Sequence, residues 1–352
     1  MNGSRFCEPS EYHLKMELYL FRPHEYHRLY RCDMYTEDQW KEKGHVNTWL
    51  GWLYLISGVV YMVPYIPCLA VMMKRELFKH SCYKIMAFLG VIDFLCLFIN
   101  GVVTGFMTIK GAYFCTYPNF LYIVGSFGVS LWCMACMTCA LLAFNRCIDV
   151  SNAELSKTLF YEWRTFIWLL FPIAYFLYFF FFTQPLLYTS AYFAWFFDPY
   201  VGVQVNHTDV DPTEYHNWPH SANNFAVVVC LLTLYFVLSV LIWIKTRPAN
   251  ATGGLSHMQK QIIFQSCTIC MFNFIAAIIY VYMQFFETPT VFVVLGQVTW
   301  QASHGGAAIV YLFMNKTIRK GVIDLLTPRR LRTQRVCKVM TEPTSPSTQP
   351  TM

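Results

Sequence analysis

The chain is 352 residues long, 56% hydrophobic and only 13% charged, with a net charge of +6. That balance excludes an ordinary water-soluble domain, which needs more charge to cover its surface, and it equally excludes a disordered chain. The positive charge does not point to nucleic acid either, because it is sorted by loop and forms no single basic face.

Residues 1–48 carry acids, His and Tyr without sustained periodicity and predict a loosely ordered extracellular arm. Its only apolar stretch, 18–21, is too short for a cleavable signal. Seven long apolar runs follow, at about 49–73, 85–109, 119–144, 166–187, 224–244, 261–286 and 291–314. A helix rises ~1.5 Å per residue, so each run can cross a ~30 Å hydrocarbon core. None contains Lys or Arg, and Asp93 is the only acid. Backbone groups in lipid must be satisfied internally, so the runs are read as helices. The fold expected is an all-α membrane protein, a seven-transmembrane-helix bundle over 49–314. Beyond it, 315–328 predicts a short amphipathic helix on the membrane surface. Ile318, Val322, Leu325 and Leu326 share one face there, with Arg319, Lys320 and Asp324 elsewhere. Residues 329–352, ending rich in Pro, Ser and Thr, predict a disordered cytoplasmic tail. No internal repeat is visible, which disfavours a transporter built from two related halves.

Loop charge sets the orientation. Outside the arm, every basic residue but Lys110 lies in the first, third or fifth connection or the tail, among them Lys74, Arg75, Arg146, Lys157, Lys245, Arg329 and Arg330. Loop 188–223 has none and carries Asp198, Asp209, Asp211 and Glu214. Positive-inside bias places the N-terminus outside and the tail in the cytoplasm, where its bases face membrane lipid.

A few polar residues could carry mechanism. An acid at mid-membrane costs about 2.5–3.5 kcal/mol on insertion scales, so Asp93 must have partners or a cavity. With Asn100 two turns along, it is the candidate intramembrane polar switch, and Ser303, His304 and Asn315 are possible partners. Arg146 closes the third run with Asp149 at i+3, a spacing that allows an ion pair to form and release. Cys133, Cys136 and Cys139 repeat along one helical face but lack accompanying His or acids, so they are read as packing residues. No metal site, cofactor site or catalytic constellation is expected, and the chain does not read as an enzyme. Gly101 and Gly105 form a close-packing face on the second helix. Asn206, and less strongly Asn2, head glycosylation sequons on the external side. Candidate ligand-pocket residues in the outer half are Tyr122, Tyr282, Gln284, Gln297, Trp300 and Gln301.

Several longer segments resemble a known family. They are Tyr65-Ile66-Pro67-Cys68-Leu69-Ala70-Val71-Met72, Ser81-Cys82-Tyr83-Lys84-Ile85-Met86, Leu89-Gly90-Val91-Ile92-Asp93, Cys115-Thr116-Tyr117-Pro118 and Leu142-Ala143-Phe144-Asn145-Arg146-Cys147. Together they look like the nematode serpentine receptors of class T, over about 32–320. The resemblance implies a chemosensory receptor in the plasma membrane of sensory cells, taking an unknown small-molecule ligand and coupling to a heterotrimeric G protein. More distantly the layout is similar to rhodopsin-like receptors. Asp93 then stands at their second-helix aspartate, and Asn145-Arg146-Cys147 where they carry Asp-Arg-Tyr. Here Asn145 stands in place of the acid before the arginine, so Asp149 must substitute if there is an ionic lock, and Arg146 and Asp149 are the residues expected in G protein coupling. The sixth helix has no Pro, and the seventh lacks Asn-Pro-x-x-Tyr. Loop 188–223 has no Cys to receive a bridge from the third helix, which leaves Cys7 or Cys32 for Cys115. Cys32, nearer the first helix, is the expected partner. The alternative from another class is a seven-helix ligand-gated channel subunit, as in insect odorant receptors. Those run with the N-terminus inside, against the charge count here.

Overall fold

Helices dominate because the bilayer offers the backbone no water to bond. A computed structural model describes residues 15–204, 210–246, 257–286 and 288–328. The arm forms α1 (Lys15–Phe21), α2 (Pro23–Leu29) and α3 (Glu37–Glu42). The first span is α4 (Thr48–Met72), followed by the short α5 (Arg75–Phe78). The second span is α6 (Ser81–Leu97), a π-helical turn (Phe98–Val103) and α7 (Thr104–Lys110). The third is α8 (Pro118–Ser151); α9 (Ala153–Phe160) leads to the fourth, α10 (Arg164–Phe182). A two-stranded antiparallel hairpin, β1 (Leu187–Thr189) and β2 (Ala194–Phe196), precedes the fifth span, α11 (Trp218–Thr246). The sixth and seventh are α12 (His257–Phe285) and α13 (Thr290–Met314), and α14 (Lys316–Leu326) ends the described chain.

The seven expected runs match seven helices, with shifted ends. The third span continues to Ser151 and the fifth begins at Trp218, because helices outrun their apolar stretch into the headgroup region. The fourth stops at Phe182, and the chain after it turns into the hairpin. Among the described residues five spans are long and apolar enough to cross a membrane by composition alone. The seventh is diluted by Gln297, Gln301, Ser303 and His304, all of them buried. The second and third spans are central, with 67% and 72% of their most apolar stretch buried, against 22% and 17% for the fourth and fifth.

The arm departs from the loose segment expected. Its order comes from aromatic packing that no periodicity advertised. Tyr19, Tyr26 and Tyr30 all pack on Tyr122 of α8, with ring centroids 5.1–5.4 Å apart. Cys32 and Cys115 are joined by a disulfide, with Cα atoms 5.4 Å apart. Trp40 donates its indole N–H to the Cys32 carbonyl at 3.0 Å. The loop before α11 clasps the arm from the other side. Arg28 pairs with Glu214 at 2.7 Å, and the Tyr200 and Tyr215 hydroxyls donate to the carbonyls of Arg31 and Leu29 at 2.8 and 2.6 Å. Burial pushes the pKa of both hydroxyls up, so both phenols keep their protons to donate. Residues 1–14 and 329–352, which include Cys7, lie outside the described residues.

At the opposite end, Asn315 caps α14, its side chain accepting from the Ile318 amide at 3.0 Å. Ile318 and Val322 are buried, while Leu325 and Leu326 remain exposed, so only the first half of the apolar face packs on the bundle.

The first two spans approach backbone to backbone. A Cβ on Gly101 would sit 2.7 Å from the Gly58 Cα, and one on Gly105 2.7 Å from the Gly51 carbonyl oxygen. The small face on the second span is therefore an internal seam, matched by Gly51 and Gly58. Gly101→Val should cost about 1–3 kcal/mol through overpacking, whereas Gly128→Ala should be tolerated, its Cβ meeting atoms only at 3.7 Å or beyond. Thermal unfolding of the detergent-purified variants checks the contrast, and equal midpoints would contradict it.

Candidate functional site

Asp93 sits mid-span on α6 and is 2% exposed. Its Oδ1 lies 2.7 Å from His304 Nδ1, and its Oδ2 2.9 Å from the Tyr65 hydroxyl. That hydroxyl also meets the His304 backbone carbonyl. His304 Nε2 accepts from the Trp300 indole N–H, one turn back on α13, at 3.1 Å. The first, second and seventh spans therefore meet at one polar centre.

The protons can be counted. An indole nitrogen only donates, so His304 Nε2 is bare and Nδ1 carries the ring proton, donated to Asp93 Oδ1. Tyr65 has one proton but faces two acceptors. Donors and acceptors pair one to one when Asp93 Oδ2 itself carries a proton and donates it to the Tyr65 oxygen. Tyr65 then gives its own proton to the His304 carbonyl. A neutral acid also avoids the cost of a charge in lipid.

Beside this centre the π-helical turn frees the Asn100 carbonyl, which accepts from Gln297 and Gln301 side-chain amides at 3.0 and 2.8 Å. π-Turns of this kind recur at functional sites. The Asn100 side chain is buried with no partner among the described residues. Ser303 donates to the Trp300 carbonyl and Asn315 lies near Tyr83, so of the possible partners of Asp93 only His304 reaches it.

Towards the arm lies a cavity of about 90 Å³, lined by Trp132, Leu186, Trp195, Phe196, Phe197, His220, Tyr280, Met283 and Trp300. No Lys, Arg, Asp or Glu lines it. The β-hairpin forms its lid. Gly125 lets the lid lie on α8, since a Cβ there would fall 1.5 Å from the Leu186 oxygen. Trp195 fixes it to the second span, its indole donating to Thr104 Oγ1 at 2.8 Å. The cavity floor and the polar centre share Trp300.

Of the described residues proposed for a pocket from sequence, only Trp300 lines this cavity. Tyr122 is consumed by the arm's tyrosine cluster. Tyr282 is 51% exposed on the outer face and stacks on Phe286. Gln297 and Gln301 turn inward to the Asn100 carbonyl. The side chain of Gln284 lies outside the described residues, as do Asn206 and Asn2. Of the lining residues not foreseen, Trp195, Phe196 and Phe197 form an aromatic run in loop 188–223, and that run was their one available signal.

At the tail end Arg146 is buried and pairs with Asp149 at 3.0 Å, and it also donates to Asn145 Oδ1. Ser156 of α9 donates to Asp149, so both carboxylate oxygens are engaged. Nearby His80, between spans, has its pKa lowered by burial and then by Lys79, with Asp149 opposing. The described residues contain no cluster of His, Cys, Asp and Glu fit for a metal ion.

A seven-span bundle with a lidded cavity above a buried polar centre defines a receptor of the seven-transmembrane class. Its backbone is similar to the crystal structure of squid rhodopsin, with a TM-score of 0.54 over 90% of this chain and 96% of that one, at 12% identity. That likeness concerns the fold alone. The family model for the serpentine type seven-transmembrane chemoreceptors Srt matches residues 16–335, and the chain belongs to that family. It is 27% identical over 299 residues to serpentine receptor class T-55 of Caenorhabditis elegans, covering 84% of this chain and 80% of that one. The protein is thus a multi-pass membrane chemoreceptor, and its family is not one of enzymes.

The proton count yields a test. Asn presents one acceptor and one donor edge, as a neutral acid does, so Asp93→Asn should keep thermal stability within about 0.5 kcal/mol of wild type. Asp93→Ala leaves His304 and Tyr65 unpaired and should lose about 2–4 kcal/mol. Equal destabilisation by both, in thermal unfolding of purified receptor, would show an ionised Asp93.

Proposed function

We propose that this chemoreceptor works in the plasma membrane of sensory cells, with its arm outside and its tail in the cytoplasm. It binds a small, neutral, largely apolar molecule in the lidded cavity and signals through a heterotrimeric G protein. The distribution of Lys and Arg supports the orientation. The aromatic lining without charged side chains supports the ligand class. At about 90 Å³ the closed cavity holds only a few heavy atoms, less than the ~150 Å³ that accommodates benzene in an engineered apolar cavity.

One observation carries the reading: Trp300 is both a wall of the cavity and the donor to His304. A ligand that moves the indole changes what His304 and Asp93 can share, and so biases two arrangements of the first, second and seventh spans. At the far end the Arg146–Asp149 pair is the restraint such a shift would release. Exposed ion pairs are worth under ~1 kcal/mol and partly desolvated ones more, while 1.4 kcal/mol changes a two-state ratio about tenfold.

The test is a panel of small volatile and water-soluble ligands applied to cells expressing the receptor, with a second-messenger readout. Trp300→Ala should weaken the response to any active ligand at preserved surface level. Arg146→Ala should abolish the response, and Asp149→Ala should raise basal signalling modestly. A normal response from Arg146→Ala at matched expression would reduce Arg146 to a membrane-border anchor. Ligand-gated current in cells lacking G protein would favour a channel instead.

A further inference from the structure

Arg146 is also one wall of a second cavity at the tail end, of about 320 Å³, between the start of the second span and the α8–α9 corner. Lys79, His80, Ser81, Asp149 and Lys157 line it with Arg146. α6 begins inside this cavity at Ser81, and its N-cap residue, His80, makes no side-chain capping bond. The first amides of a helix have no intrahelical acceptor and carry the positive end of its dipole. Ser81 and Cys82, whose amides are the first two, both line the cavity.

A second observation points to an anion. The Arg146 side chain is 6% exposed, and its Nε has no partner among the described residues. The acid on the wall, Asp149, already takes bonds from Arg146 and Ser156. Lys157 pairs with Glu154 at 2.8 Å, an exposed contact that water and salt weaken, and Lys79 stands at the rim. Lys79, Arg146 and Lys157 thus face a single lining acid, over an uncapped helix start. The exposed Tyr161 also lines the cavity, an aromatic of the kind that sits at headgroup level.

We propose that this cavity is a phosphate-binding site, taking the phosphate of a membrane-lipid headgroup or a free phosphate through the Ser81 and Cys82 amides, the Arg146 guanidinium, Lys79 and Lys157. The bound group would compete with Asp149 for Arg146 and so act on the restraint at the tail end. The site itself stands whether or not the receptor couples to a G protein.

The test uses full-length receptor in phosphatidylcholine nanodiscs, with binding read as a saturable rise of the unfolding midpoint. One arm adds a phosphatidylinositol monophosphate to the bilayer, and the other adds inorganic phosphate at constant ionic strength. Lys79→Gln/Lys157→Gln removes two exposed charges from the rim and should weaken binding by about tenfold or more. Lys316→Gln, a basic position at the same end but outside the cavity, should leave binding unchanged. Saturable binding of the lipid alone assigns the site to a headgroup. Binding of both probes assigns it to phosphate in general. Binding of neither, or equal weakening by Lys316→Gln and by the rim pair, overturns the proposal.

Discussion

A carboxyl group at the middle of a membrane span must find every partner within the protein, and Asp93 organises the bundle around that requirement. Tyr65 reaches it from the first span and His304 from the seventh. The Tyr65 contact runs between the first two helices, which stand unusually close. The contacts of Gly51 and Gly58 with Gly105 and Gly101 bring those backbones together, so the glycine seam and the polar centre are two parts of one constraint. The π-helical turn just above Asp93 belongs with them, because it frees the Asn100 carbonyl for Gln297 and Gln301 and ties the second span to the seventh again.

The two ends of the bundle are built differently. At the arm end a lid is held in layers. The hairpin rests on Gly125 and Thr104, and the arm is bonded to the start of α8 by Cys32–Cys115 and to the loop by Arg28–Glu214. Removing a disulfide from a small domain typically costs about 2–5 kcal/mol, so this lid is fastened rather than resting. At the tail end Arg146 is held by its pair with Asp149 and lines a polar-walled cavity of about 320 Å³.

Much of the architecture was legible in the sequence. The spans, α14 and the Arg146–Asp149 spacing follow from hydropathy and helical period, which are local properties. The bridge from Cys115 to Cys32 followed from the absence of cysteine in loop 188–223, which left Cys7 or Cys32, and from Cys32 lying nearer the first helix. What escaped was non-local. The arm's order depends on tyrosines meeting Tyr122 about a hundred residues away, and tyrosine in a polar segment carries no periodic signal. Part of the cavity lining comes from a loop folded back over the bundle, so Trp195, Phe196 and Phe197 could be seen as aromatic but not placed. Polar residues in the outer half of the seventh span were sorted by chemistry alone, which could not separate Gln301, turned to a backbone carbonyl, from Trp300 on the cavity wall.

The central claim is that the bundle closes around a neutral Asp93, its proton shared with Tyr65. Infrared spectroscopy of the purified receptor at neutral pH reads it directly, because a protonated carboxylic acid has a carbonyl stretch that carboxylates lack. The account predicts such a band in the wild-type protein, absent from Asp93→Asn and shifted in Tyr65→Phe, where its hydrogen-bond partner is gone. A wild-type spectrum with no protonated-acid band that Asp93→Asn removes would contradict it.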